Sequence, residues 1–152
     1  MTSDAEPRRL DGAGVVGNAA FSMVLARAKP GQLHLALGRR EATLERVLHL
    51  RWHRVLRDEP LDVALQGGNG PLACVIVSLW LDPAIAPVLR VLSRRITARY
   101  GSALQGPAYG FGDAKAMFDQ GTGALDDADA AFTCATFVLQ LLRSVGVRLL
   151  DP

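Results

Sequence analysis

The chain has 152 residues, 49% of them hydrophobic and 21% charged, and a formal net charge of +2. That length predicts one domain able to bury a core without staples. The charge is too small and the arginines too dispersed for a nucleic-acid-binding surface, so nucleic acid is not expected as a partner.

The two cysteines, Cys74 and Cys134, fit neither a disulfide framework nor a CxxC knuckle, which points to a reducing compartment and free thiols. Residues 1–9 are polar, with no apolar segment behind them that would make a Sec signal. The longest apolar run, 72–81, falls short of the ~20 residues of a membrane span. A cytoplasmic protein with no transmembrane segment is expected, with export by a route lacking a cleavable signal left open.

In chain order, residues 1–14 read as a disordered leader and 15–152 as a single domain. Residues 15–28 suit a short helix or a strand. Lys29-Pro30-Gly31 is a turn signal. Over 32–38, Leu33, Leu35 and Leu37 alternate with Gln32, His34 and Ala36, which predicts a strand with His34 facing away from the leucines. Residues 41–57 fit a helical stripe and a strand equally well, and Asp58-Glu59-Pro60 is read as ending that segment. Residues 66–71 are a loop by composition, and 72–80 a buried strand.

Asp82-Pro83 suits a helix start, with the helix running to about residue 100. Ile85, Val88, Leu89, Leu92 and Ile96 form its core face, with Arg90, Arg94, Arg95 and Arg99 on a solvated one. Residues 102–130 are irregular and acidic, with Asp113, Asp119, Asp126, Asp127 and Asp129 against Lys115. They lack the spacing of an EF-hand, so calcium is not expected. Residues 132–146 predict a helix apolar almost all round, hence central and buried, capped by Thr133 and closed at Gly146. A short strand is expected over 147–150.

The chemistry centres on Cys134 in the first turn of that helix, where the positive end of the macrodipole favours an anionic sulfur. Cys74, inside an apolar strand, is assigned to the core. A thiol nucleophile needs a base and a group to orient it. Of the three histidines, His34 is the candidate base and His49, on a neighbouring strand, the orienting group. Were 41–57 helical, His49 and His53 would be an HxxxH pair suited to zinc. However, Leu50 stands where metalloproteases place their glutamate, so no metal or other cofactor is expected. Tyr109 is open to lining the cleft or helping an oxyanion hole and equally to a packing or turn role, and stands outside the catalytic set.

The blocks His34-Leu35-Ala36-Leu37-Gly38, Val47-Leu48-His49-Leu50 and Phe132-Thr133-Cys134-Ala135-Thr136-Phe137-Val138 resemble those of the NlpC-type papain-like cysteine hydrolases. More narrowly, they are similar to the circularly permuted, lecithin:retinol acyltransferase-like branch, in which the histidine strands precede the nucleophile helix. Ala135-Thr136 departs from the glutamate-histidine pair that often follows the cysteine in acyltransferase-like members.

The resemblance implies an α+β, permuted papain-like fold, an antiparallel sheet packed on the central helix that carries the cysteine. It makes Cys134 the nucleophile, His34 the base and His49 the third polar member, and turns 46–52 into a strand. The expected function is a cysteine hydrolase or acyltransferase acting on an amide, ester or thioester, with a peptide or acyl-lipid substrate. The alternative is a catalytically silent peptide- or lipid-binding module of the same fold. Oligomeric state is not readable.

Overall fold

The turn at Lys29-Pro30-Gly31 is where the sheet begins to organise. Gly31 has φ +74°, a left-handed conformation that glycine adopts without penalty. On either side run β2 (Phe21–Lys29) and β3 (Gln32–Glu41), paired antiparallel with Ala26 opposite His34. The structure is a computed structural model that describes residues 8–10, 19–42, 44–51, 54–67, 70–102, 106–111 and 115–149. Arg8–Leu10, inside the stretch expected as a disordered leader, form β1. The other residues of that stretch lie outside the described residues.

The chain continues as β4 (Leu44–Arg51), β5 (Val55–Pro60), the single turn α1 (Leu61–Ala64), and the short pair β6 (Gln66–Gly67) and β7 (Gly70–Pro71). There follow β8 (Cys74–Leu79), α2 (Ile85–Tyr100), β9 (Ala108–Tyr109), β10 (Ala131–Phe132) and α3 (Cys134–Arg143). The main sheet has the order β1-β8-β2-β3-β4-β5; five strands are mutually antiparallel and β1 joins β8 in parallel. The architecture is therefore α+β.

The sheet is covered on both faces, with side chains sorted by the two-residue period. Leu37, Leu48, Leu50, Leu56, Phe21 and Leu79 point to the face shared with α2 and α3 and join Leu89, Leu92, Ile96, Phe137, Val138 and Leu141 in one cluster. Burying each such side chain stabilises the fold by about 1.5–3 kcal/mol. The opposite parity gives a smaller cluster of Val24, Ala26, Ala36, Val47, Cys74 and Ile76 under Leu65. α3 is central as expected, with Phe137, Val138, Leu141 and Leu142 fully buried.

Several expectations change. The strand expected over 46–52 is present as β4, described to Arg51, and a second strand not expected within 41–57, β5, pairs with it. Asp58-Glu59-Pro60 lies within β5 instead of ending the segment. A polar run survives there because its carboxylates are paired on both faces. Asp58 takes Arg39 Nη2 at 2.6 Å and Arg46 Nε at 3.0 Å, and receives Thr97 Oγ1 at 3.1 Å.

α2 starts at Ile85; Asp82 Oδ1 accepts from Ala84 N–H ahead of it, and Val88 is exposed instead of on the core face. Residues 147–149 form no strand. No described helix is long and apolar enough to cross a membrane.

Candidate active site

Three elements meet at one end of the sheet, away from the β3–β4 turn. β3 brings His34 near its start and β4 brings His49 near its end, both on the face of the smaller cluster. α3 brings Cys134 at its first residue. His34, His49, Cys134 and Tyr109 all line one cavity of about 480 Å³, within the size range of small-molecule sites.

The helix start is built from two threonines. Thr133 Oγ1 accepts from Thr136 N–H at 3.1 Å, and Thr136 Oγ1 accepts from Thr133 N–H at 2.8 Å. This reciprocal cap satisfies two orphan donors and gives Thr136 a structural reason to stand where the resemblance would place a histidine. The other end closes at Gly146, φ +86°, with Val147 N–H returning to Leu142 O.

The histidines form a relay with a third member that sequence reasoning missed. His34 Nε2 and His49 Nδ1 are 2.7 Å apart, and His49 Nε2 lies 2.9 Å from Glu59 Oε1. A carboxylate only accepts, so His49 Nε2 donates to Glu59; His49 Nδ1 then accepts from His34 Nε2–H, which leaves the lone pair of His34 on Nδ1. Arg51 Nη2 reaches the same Glu59 oxygen at 3.3 Å. Burial first, then the nearby charges of His49 and Arg51, lowers the His34 pKa to about 4. Burial also lowers that of His49, opposed by its hydrogen bond to Glu59. His34 is therefore a neutral acceptor at physiological pH.

His34 makes no hydrogen bond to the Cys134 thiol among the described residues; the two share the cavity. Catalytic hydrogen bonds commonly tighten only when substrate is bound.

Tyr109 also belongs here. β9 pairs in parallel with β10, setting Tyr109 beside Phe132, and Gly110 N–H bonds Phe132 O at 3.1 Å. The Tyr109 hydroxyl lies against Cys134, hydrogen-bonded to its backbone N–H and its side chain; burial first, then the nearness of the Cys134 side chain, pushes the Tyr109 pKa up, opposed by the bond from the backbone N–H. The segment leading to Tyr109 is pinned to the β4–β5 turn by Gly106 N–H to Arg54 O and Arg54 Nε to Gly106 O, both 2.9 Å. A Cβ on Gly106 would stand 2.4 Å from Arg54 O. Gly106→Ala is therefore expected to cost about 1–3 kcal/mol; a urea midpoint unchanged from the parent protein would contradict this.

Cys74 is buried in β8, where burial raises its pKa, as suits a core thiol. The conditional zinc pair loses its premise, because His49 is on a strand, and His53 lies outside the described residues. Both His49 nitrogens are already engaged. No group of three or more potential ligands is arranged for a metal ion among the described residues.

Compared with known proteins, the chain matches no family model, no curated protein and no solved structure.

Proposed function

We propose that this protein is a cysteine-nucleophile hydrolase or acyltransferase acting on an amide, ester or thioester. The observation that carries the reading is the shared cavity, which a capped helix start supplies with Cys134 and the sheet with a histidine whose tautomer is set by a two-member relay. A sheet packed on the helix of Cys134, with the histidine strands ahead of that helix in the chain, supports the finer reading of a permuted papain-like fold.

In this mechanism His34 Nδ1 takes the Cys134 proton and the thiolate attacks the carbonyl carbon. The developing oxyanion takes the Cys134 N–H in place of the Tyr109 hydroxyl oxygen, and that hydroxyl then donates to it. His34 then returns its proton to the leaving group. Water or a second acceptor, deprotonated by the same nitrogen, releases the acyl group. His49 and Glu59 hold the His34 ring and its tautomer and touch no substrate.

A catalytically silent binding module with the same cavity is the second reading, favoured by the missing thiol–imidazole hydrogen bond. Labelling with an iodoacetamide probe tests the first: in folded protein Cys134 should react well before Cys74, and His34→Ala should slow it. Faster labelling of Cys74 sinks the nucleophile assignment.

A further inference from the structure

The β4–β5 hairpin enters the site twice. Its arms carry the relay, His49 on β4 and Glu59 on β5, with His49 Nε2 2.9 Å from Glu59 Oε1. Its connection carries Arg54, which meets the chain again 52 residues on. Arg54 O accepts from Gly106 N–H, and Gly106 O accepts from Arg54 Nε–H, each at 2.9 Å. One residue thus takes both backbone groups of a buried glycine, groups that need partners once they leave water.

Arg54 does this from an unfavourable backbone. Its φ is +62°, in the left-handed region that glycine enters freely and a long side chain only at a cost. Glycine or asparagine would suit such a turn better, but neither puts a donor where Nε stands. Conformations of this kind persist where the surroundings over-determine them, and they cluster at functional sites.

What the clamp controls lies three residues further on. The ring of Pro107 fixes its own φ, Ala108 pairs with Ala131, and Tyr109 pairs with Phe132, two residues before Cys134. A strand pair this short is a weak anchor by itself, and Arg54 holds the other end of the segment. Between the two anchors the Tyr109 hydroxyl is set against Cys134.

We propose that Arg54 is a positioning residue that acts through Gly106 to hold the Tyr109 hydroxyl where the oxyanion forms, so that one hairpin aligns both the base and the oxyanion donor. The catalytic part of this statement rests on the cysteine-hydrolase reading; the placement of Tyr109 by Arg54 does not. The competing account is purely structural: Arg54 satisfies the Gly106 carbonyl, and the β9–β10 pairing alone places Tyr109.

Two substitutions separate these accounts. Arg54→Met keeps the side-chain length and the left-handed backbone and removes the donor. Arg54→Gln removes the charge and keeps an N–H the same number of bonds from Cα. With folding checked by circular dichroism and a neutral decanoyl ester as substrate, Arg54→Met should lower kcat by roughly tenfold or more, since a small displacement of a catalytic group can cost as much as 10²-fold. KM should change by less than about twofold, the sign of an interaction made only in the transition state. Arg54→Gln should keep kcat within about threefold of the parent protein, because the bond to Gly106 O is retained. Tyr109→Phe alone should cost roughly 10²-fold. Adding Arg54→Met to it should cost less than about twofold more, because both changes remove the same donor. A parent-like kcat in Arg54→Met, an Arg54→Gln variant as impaired as Arg54→Met, or the same loss with and without the Tyr109 hydroxyl overturns the proposal.

Placement is read separately from turnover. Tyrosine isotope-labelled at Cζ gives one NMR signal each for Tyr100 and Tyr109, and Tyr109→Phe identifies the second. That signal should move in Arg54→Met and return to its parent position in Arg54→Gln. If the parent protein turns over no ester, the cysteine-hydrolase reading falls and the signal alone decides the placement; a Tyr109 signal unmoved in Arg54→Met overturns it.

Discussion

Cys134→Ser and His34→Ala should each lower kcat/KM by roughly 10³-fold or more, and the double variant by little beyond either, because nucleophile and base act as a unit. Glu59→Gln should cost less, roughly 10²-fold, the lower range for a positioned acid–base group. Its amide can accept from His49 or donate to it; donation would reverse the relay and put the proton on the His34 nitrogen that must be empty. Steady-state kinetics on a neutral ester checks all three, and turnover that survives His34→Ala would remove the base assignment.

The pH profile carries its own sign. With a His34 pKa of about 4, the acid limb of kcat/KM should fall well below the ordinary histidine value of ~6.5. Between those values the unfolded chain binds a proton that the folded one refuses. Stability should therefore fall as pH drops from 6.5 toward 4; below that the His34 contribution is constant, and protonation of the paired carboxylates Asp58 and Glu41, both held below their usual values, continues the fall. His49, also depressed, acts in the same direction. Unfolding titrations of His34→Ala should show a shallower fall; an unchanged slope would disprove the linkage.

The second large effect is on stability. The side chains of Arg39 and Asp58 are 4% and 6% exposed, and their ion pair ties β3 to the edge strand β5. Burial alone would raise the Asp58 pKa, yet the hydrogen bond and charge of Arg39, then those of Arg46, hold it below the usual carboxylate value. Asp58→Ala leaves the Arg39 charge buried without its main partner, and about 3–5 kcal/mol should be lost. Replacing the pair together, Arg39→Met with Asp58→Leu, should recover much of that. Urea unfolding decides; a double variant as weak as Asp58→Ala would show that the ion pair itself, not its rupture, sets the energy.

Local pattern carried part of this structure. Alternation over 32–38 placed His34 away from Leu35 and Leu37, and near-continuous apolarity placed α3 in the core, because both depend on neighbours close in sequence. Glu59 was hidden for the opposite reason. Asp58-Glu59-Pro60 has the composition of a turn, and only partners 10 to 19 residues away, His49, Arg46 and Arg39, make it a strand. One cue was present: Val55, Arg57 and Glu59 share the two-residue period of His49 and Arg51 across a short reversal. Tyr109 could be singled out but not decided between cleft and packing, since its approach to Cys134 depends on Gly106 meeting Arg54 across 52 residues.

Adjacent carboxylates on opposite faces make β5 nearly degenerate in its pairing. Slipped by one residue, Asp58 would face His49 and Glu59 would face Arg39 and Arg46, with charges still matched and side chains differing by a single methylene. What distinguishes the two alignments is Leu56, 1% exposed and opposite Leu50, which such a slip would turn out of the core. The identity of the acid that orients His49 thus depends on a leucine on the far side of the sheet. A polar substitution at Leu56 could exchange one acid for the other without altering either.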